Sequence, residues 1–279
     1  MRRLIITADD FGISKGVNDG ILEAFQRGLV RNTALMVNYE DVEQSAIALK
    51  STTGLEIGIH LNLTSGPPVS DPRTVSSLIG ADGSFLGLSG FFKRAALGRI
   101  DWKQVAREWR AQIERGTRFG FHFSNINSHQ HVHMLPALAR ICAELAREFK
   151  IPAVRLSRFQ TGVWRRPSPA KAWALFPFAM RSRRILDRQR VVRNDYVMEI
   201  PSVSIDDALA RLRDALRSCS SGVFELVCHP GYVDRTLELR DNFTKTRSFE
   251  LEFLTSPRVK GMLAAESVEL TGFGALAGA

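Results

Sequence analysis

Two adjacent carboxylates are the first residues of this chain whose type and spacing could do chemistry. Asp9 and Asp10 follow a short apolar run at 4–7, with only Ala8 between. Two buried carboxylates this close raise each other's pKa unless a cation compensates for their charge. A divalent metal ion would do so, with one carboxylate binding the ion and the other facing a reacting water. As an alternative, the pair could cap the helix that begins near Ser14.

Five of the six histidines follow β-prone runs in the same way. If the chain is extended beyond residue 128, alternate histidines of the run at 129–133 share one face. If it has begun to turn into the helix after Pro136, His129 and His133 are the natural pair. Two neutral imidazoles and a carboxylate, with positions left open for water and substrate, compose a hydrolytic metal site. The five histidines are His60, His129, His131, His133 and His229.

Other catalytic devices are absent from the sequence. It contains no G-x-S-x-G nucleophile motif, no Walker A loop and no H-E-x-x-H helix. Cys228 precedes His229, but neighbouring residues of a strand face opposite sides, which favours a buried apolar role for the thiol. His122 stands apart from the other histidines and is interpreted as a surface residue.

Parallel strands must position these residues, because β-prone runs alternate with helical periodicity along the chain. No glycine-rich turn follows the first run, so a dinucleotide-binding sheet is disfavoured. About seven strands spread over the chain favour an α/β fold of the distorted (β/α) TIM-like barrel type, in a single domain spanning 1–279. The runs lie at 4–7, 34–37, 56–61, 125–128, 153–156, 223–229 and 268–273. Arg155, at the end of one run, could pair with Asp9 or be a plain surface arginine.

Two long segments, 67–99 and 162–193, are expected to be irregular insertions that cap the active face. The second is both basic and aromatic. Its aromatic rings could stack on sugar rings, lean on an anionic membrane surface or cover the barrel mouth, and all three alternatives stay open. The rings belong to Trp164, Trp173, Phe176 and Phe178.

The formal net charge of +9 does not by itself indicate a nucleic-acid partner. Much of the excess lies between Arg155 and Arg193, where neither an RNA-binding platform nor a helix-turn-helix pattern occurs. Three widely spaced cysteines fit a reducing compartment. The amino terminus lacks a signal-peptide pattern, and the longest apolar stretch is about half the roughly 20 residues that a membrane span needs. We therefore expect a cytoplasmic protein that binds no nucleic acid.

Four motifs together resemble one known family, the YdjC-like carbohydrate deacetylases. They are TADDFG at 7–12, GIHLNL at 58–63, SHQHVHMLP at 128–136 and CHPG at 228–231. Their order and spacing extend the resemblance over essentially the whole chain. The family includes chito-oligosaccharide deacetylases and a hopanoid-biosynthesis branch. The resemblance implies a distorted (β/α) barrel, a homodimer, and a hydrolase that releases acetate from an N-acetylated oligosaccharide or lipid-linked amino sugar.

The resemblance also implies roles for individual residues. Asp10, His60 and His129 would bind a divalent metal, magnesium by resemblance, although ligand type also suits zinc. Asp9 would be the general base and His229 the acid. The substrate contacts are expected from His131, His133 and Arg155.

One residue departs from the family pattern. Asn127 stands where the family often has aspartate, and the missing charge predicts a lower metal affinity if that position tunes the histidine ligands. Two alternatives from other classes stay open, a metal-dependent phosphoesterase and a non-catalytic sugar-binding protein on the same scaffold.

Overall fold

The apolar runs of the sequence form a parallel sheet in the computed structural model, which describes residues 1–156, 169–200 and 202–277, without the side chains of 169–177, 179 and 277. Seven strands lie in the order β5-β4-β3-β2-β1-β7-β6, and β8 pairs with β1 beside this path. The sheet curls into a half-barrel, which confirms the expected distorted barrel. The strands are β1 (Arg2–Phe11), β2 (Asn32–Leu35), β3 (Glu56–Leu61), β4 (Asn125–Ser128), β5 (Ala153–Val154), β6 (Tyr196–Met198), β7 (Gly222–Cys228) and β8 (Val268–Thr271).

Helices connect the strands and cover the sheet. Ser14 caps the first helix, since its side chain accepts a hydrogen bond from the backbone of Val17 at 3.3 Å. The alternative that the two aspartates serve as this cap is therefore wrong. The helices are α1 (Lys15–Gln26), α2 (Val42–Lys50), α3 (Gly87–Ala96), α4 (Trp102–Arg118), α5 (Pro136–Glu148), α6 (Pro169–Arg188), α7 (Ile205–Arg217), α8 (Arg235–Arg240), α9 (Arg247–Thr255), α10 (Pro257–Ala265) and α11 (Gly274–Ala277), with 3-10 turns at Pro72–Thr74 and His129–Met134.

The two segments expected to be irregular contain helices. Segment 67–99 includes α3, and segment 162–193 is helical along α6. Of the aromatic residues singled out there, Phe178 is exposed, Trp164 lies outside the described residues, and the side chains of Trp173 and Phe176 lie outside the described set as well. No helix in the described ranges is both long enough and apolar enough to cross a membrane.

Strand β1 lies at the centre of the sheet and positions the chemistry. It pairs with β7 from Arg2 to Ala8, with β8 from Arg2 to Ile5, and with β2 near its carboxyl end. All side chains from residue 4 to residue 11 are buried. Because the strands run parallel, the carboxyl ends of β1, β3, β4 and β7 meet at one edge, where the polar motifs lie.

Candidate metal centre

Strand β1 ends in a bulge that brings two adjacent carboxylates to the same cavity. Between Ala8 and Phe11 the register with β2 shifts, so that Asp9 and Asp10 together face a single residue of β2. Asp10 has a φ of 71°, in the left-handed region that non-glycine residues rarely adopt. Backbone strain of this kind persists where surrounding contacts hold it, often at active sites. Both aspartates line a cavity of about 290 Å³.

The tri-histidine run adopts neither of the two geometries considered from sequence. It forms a 3-10 turn broken by Gln130 and His131, whose φ angles are 54° and 55°. Two left-handed residues in succession redirect the chain, so that His129 and His131 line the cavity while His133 is buried behind it with 2% exposure. The run therefore supplies one imidazole to Asp10 and a second to the cavity wall.

Three donors converge as a metal site requires. Oδ1 of Asp10 lies 3.1 Å from Nδ1 of His129 and 3.3 Å from Nε2 of His60. One ligand atom from each residue lies within 4.8 Å of the others, and all three residues are buried. Donors bound at roughly 2.1 Å from one ion stand about 3.0 Å apart in an octahedron and about 3.4 Å apart in a tetrahedron. The three residues thus fit a single divalent cation.

The hydrogen bonds behind these donors prepare them for a metal. Nδ1 of His60 lies 2.7 Å from Oδ1 of Asn127, and an amide oxygen can only accept a hydrogen bond. Nδ1 therefore carries the proton, and Nε2 presents its lone pair toward Asp10. The amide nitrogen of Asn127 donates to Oδ1 of Asp9 at 3.3 Å, so this residue connects a metal ligand to the second aspartate.

Arg247 anchors the other oxygen of Asp10. Its Nη2 donates to Oδ2 of Asp10 at 2.7 Å and to Asp241 at 3.3 Å, and its Nε donates to the carbonyl of Phe243 at 2.7 Å. Burial raises the pKa of Asp10, but the charge of Arg247 outweighs it and holds the pKa well below its usual range. Asp10 is therefore ionised, with Oδ1 left for the cation. No sequence pattern pointed to Arg247.

Arg155 makes a two-pronged ion pair with Asp9. Its Nη1 and Nη2 lie 2.6 Å and 2.9 Å from the two carboxylate oxygens. Burial raises the pKa of Asp9, but the charge of Arg155 and its hydrogen bonds outweigh it and lower the pKa to about 2. The predicted pairing is confirmed, and the alternative of a surface arginine is wrong, because Arg155 is fully buried. It lies outside the cavity lining, so its guanidinium orients Asp9 from behind.

Glu225 holds the far side of Arg155. Its Oε1 accepts from Nε of Arg155 at 2.9 Å and from the hydroxyl of Thr7 at 2.8 Å. Sequence analysis missed this residue. A single glutamate inside the apolar strand VFELVC was the available signal, because a charge at a buried strand position needs a partner.

His133 is held as a neutral imidazole. Its Nε2 donates to the carbonyl of Arg155 at 3.1 Å, and its Nδ1 lies 2.6 Å from the hydroxyl of Ser128. Burial, followed by the charges of His131 and Arg155, lowers the pKa of His133 well below its ordinary value. Both ring nitrogens are engaged, so the substrate contact expected for His133 does not fit its position, and the residue supports Arg155 instead.

His131 and Glu199 form a pair in the wall of the same cavity. Nε2 of His131 lies 3.0 Å from Oε1 of Glu199, and both side chains line the cavity. Burial raises the pKa of Glu199, but the hydrogen bond and charge of His131 outweigh it, so the net pKa is lowered. Glu199 follows β6, a strand of only three residues. A strand this short shows no alternating pattern, so the sequence analysis missed both the strand and the glutamate.

His229 lies at the cavity after β7, with 21% of its side chain exposed. Its backbone N–H donates to Oε2 of Glu250 at 2.6 Å, and Nδ1 lies 3.9 Å from the same oxygen. The ring of Phe243 packs edge-on against it, with centroids 5.0 Å apart. These contacts hold the imidazole at the cavity edge. Cys228, the preceding residue, is buried as predicted.

Negative charge exceeds positive charge around this cavity. Five carboxylates line it, a sixth lies behind Arg155, and two buried guanidiniums, those of Arg155 and Arg247, contact them. Such an excess of carboxylates, two of them buried, favours a bound cation. The lining carboxylates are Asp9, Asp10, Glu199, Asp241 and Glu250.

Comparisons with known proteins match this chain over nearly its whole length. The sequence model of the family described as YdjC-like protein matches residues 3–265. A carbohydrate deacetylase of Clostridium beijerinckii is 30% identical over 271 residues, covering 97% of this chain and 98% of that protein. A chitooligosaccharide deacetylase of Yersinia pestis is 30% identical over 283 residues, covering 97% of each chain. The crystal structure of a protein of Enterococcus faecalis V583, described as a putative cellobiose-phosphate cleavage protein, superposes on this chain with a TM-score of 0.83 at 28% identity. The match covers 99% of this chain and 98% of that one.

Proposed function

Because this chain belongs to the YdjC-like family, we propose that it is a metal-dependent hydrolase that removes the N-acetyl group from an N-acetylated amino sugar and releases acetate. Relatives aligned along almost its full length are named carbohydrate deacetylase and chitooligosaccharide deacetylase. The observation that carries the proposal is the convergence of Asp10, His60 and His129 on one point, beside Asp9 and His229 in one cavity.

The three donors would hold the cation with defined roles. Asp10 offers Oδ1 while Arg247 keeps Oδ2 occupied, and Asn127 fixes His60 in the tautomer that can bind a metal. A divalent ion held there supplies a Lewis acid that polarises the acetamide carbonyl and lowers the pKa of a water molecule. Magnesium is the metal expected from the family, and zinc is the metal that two imidazoles and a carboxylate suit by ligand type.

Asp9 is proposed as the general base. Arg155 holds it ionised, with a pKa of about 2, and fixes both carboxylate oxygens. A base of such low pKa is always available but keeps a proton only weakly. Asp9 therefore gives up to solvent, after the step, the proton that it took from the water, and the departing amine, which also needs a proton to leave, receives one from a different group.

His229 is proposed to deliver a proton to that amine. It lies at the cavity edge with part of its ring open to solvent, where it can exchange protons between turnovers. Glu250 and Phe243 fix its backbone and ring. Without this acid the amine is a poor leaving group, so the tetrahedral species would return to substrate.

His131 and Glu199 are proposed to contact the sugar. Together they offer a carboxylate and an imidazole in the cavity wall, which suits hydrogen bonds to ring hydroxyl groups. Arg155 and His133, expected from sequence to touch the substrate, are proposed to act one layer behind, by holding Asp9 and each other in place.

An acetate-release assay tests the proposal. The substrates are N-acetylglucosamine oligomers and lipid-linked amino sugars, assayed with chelator, with added magnesium and with added zinc, and phosphate release from sugar phosphates is measured in parallel. We expect metal-dependent acetate release and no phosphate release. Phosphate release without acetate release would instead establish the phosphoesterase, and sugar binding without either product would establish a non-catalytic protein. The homodimer and the cytoplasmic location remain predictions, which sedimentation and fractionation would test.

A further inference from the structure

Helices α5 and α6 enclose a groove of about 540 Å³ that is separate from the metal centre. Four of its six lining residues are arginines, and all four are exposed. The groove and the metal cavity share no lining residue. The groove is lined by Arg140, Met180, Arg181, Arg184, Ile185 and Arg188.

The four arginines lack carboxylate partners within the described ranges. Elsewhere on the surface, arginine side chains commonly pair with acids, as Arg211 does with Asp207 at 2.7 Å. The acidic residue of α6, Asp187, is engaged by Arg183 at 3.7 Å and by Arg193 at 2.8 Å. No ion pair joins a groove arginine to any described carboxylate within 4.0 Å. Four unneutralised guanidiniums in one concavity therefore attract an anionic partner.

An exposed apolar group shares this face of α6. Phe178, Arg181, Ile185 and Arg188 follow one another at spacings of three, four and three residues, which places them along one side of a helix. Phe178 is 44% exposed. The neighbouring face holds α6 in place, because Leu186 is buried there and Ser182 donates to the carbonyl of Met134 at 2.7 Å. The outward face thus combines guanidiniums with an aromatic ring and an aliphatic side chain.

The combination of guanidiniums with exposed apolar side chains favours one kind of partner over the others. A second copy of the chain would bring a molecule of formal charge +9 against four arginines, which is unfavourable. A nucleic acid would pair with the guanidiniums but would leave the apolar side chains of α6 without a counterpart. A membrane surface satisfies both, since lipid phosphates accept from arginine while aromatic and aliphatic side chains enter the headgroup boundary. We infer that the α5–α6 groove docks this protein on an anionic membrane surface.

Docking at this face is independent of the proposed chemistry. Helix α6 contacts the 3-10 turn His129–Met134 through Ser182, so the docked face lies one layer from the cavity without contributing to it. Substitutions in the groove are therefore expected to leave hydrolysis of a soluble substrate unchanged. Membrane docking and hydrolysis can therefore be lost separately, and the experiment measures each of them independently.

Vesicle co-sedimentation of the full chain tests the inference. The probes are phosphatidylcholine vesicles with and without phosphatidylglycerol, at low and high salt. A basic residue at an anionic surface contributes about 1 kcal/mol, or about fivefold in affinity. The double variant Arg181→Gln, Arg184→Gln is expected to bind the anionic vesicles about 25-fold more weakly. A matched control, Arg99→Gln with Arg118→Gln, makes the same change in net charge at two exposed arginines outside the groove.

The outcomes separate groove-specific docking from general electrostatics. Salt-sensitive binding to anionic vesicles that the groove variant loses and the control variant keeps would support the inference. Background binding of the wild type to anionic vesicles would overturn it, as would equal weakening in both double variants. Tighter binding to duplex DNA or to RNA through the same arginines would replace the membrane with a nucleic acid. Acetate release from a soluble sugar, measured in parallel, reports on the proposed function alone.

Discussion

Nδ1 of His60 lies 2.7 Å from Oδ1 of Asn127, and this contact determines which nitrogen of His60 can bind a metal. Replacing Asn127 with alanine removes the acceptor, so the imidazole can take either tautomer and rotate. Losing such an orienting partner typically weakens metal binding 10–100-fold. Calorimetric titration of the metal-free protein should show this weakening in Asn127→Ala and retained affinity in Asn127→Asp, which can still accept. Unchanged affinity in the alanine variant would show that the contact does not orient His60.

The two adjacent aspartates are expected to differ in function. Asp10→Asn removes the charged donor at the point where the three ligands converge, so it should abolish stoichiometric metal binding. Asp9→Asn leaves those donors in place and removes the base, so it should keep the metal and lower kcat by about 10²-fold or more. Metal analysis and acetate-release kinetics on both variants make the comparison. Loss of metal in both would contradict the separation of roles.

His229 is expected to matter for turnover and not for metal binding. His229→Ala should lower kcat by about 10²-fold or more while metal content stays at the wild-type level. Phe243 contacts the same imidazole from its edge at a centroid distance of 5.0 Å, and Phe243→Leu serves as a milder control that keeps the imidazole. Full activity in His229→Ala would remove this residue from the mechanism.

The stability of the metal-free protein should depend on pH through His133. Burial and the charges of His131 and Arg155 hold its pKa well below 6.5 in the folded protein. The unfolded chain binds that proton near pH 6.5, so below this pH it takes up more protons than the folded chain. Folding stability therefore falls as the pH drops, by up to about 1.4 kcal/mol per unit.

Comparing the wild type with His133→Gln isolates this effect. The variant lacks the titrating imidazole but keeps His129. Burial lowers the pKa of His129, but the hydrogen bond and charge of Asp10 outweigh burial, so that its pKa is raised overall. The variant should be less stable at neutral pH, and the difference in the free energy of unfolding should narrow between about pH 7 and about pH 5. Denaturant titrations across that range provide the measurement. Parallel pH profiles for the two proteins would show that His133 does not titrate this way.

Sequence reasoning predicted the features of this molecule that depend on residues close together in the chain. The bounds of strands β3 and β4 were predicted to the residue. That the aspartates and histidines lie at one edge followed from parallel strand ends meeting there, and the family resemblance selected Asp10, His60 and His129 among them, a set that does converge. His122 was predicted to lie at the surface and is exposed.

What the sequence did not reveal depends on contacts between distant segments. Arg247 reaches Asp10 across 237 positions of the chain, and nothing in its neighbourhood distinguishes it from a surface arginine. The left-handed backbone at Asp10 and His131 could not be predicted from residue type either, since aspartate and histidine adopt it more often than most non-glycine residues but still only rarely. These features hold the site in shape, and tertiary packing imposes them.

The most direct test of the account is a titration of metal-free enzyme with a divalent metal while acetate release from an N-acetylglucosamine oligomer is followed. The account predicts no release in chelator, a rate that rises with added metal and reaches its plateau at one ion per chain, and no recovery in Asp10→Asn. Full acetate release by the metal-free protein would contradict it.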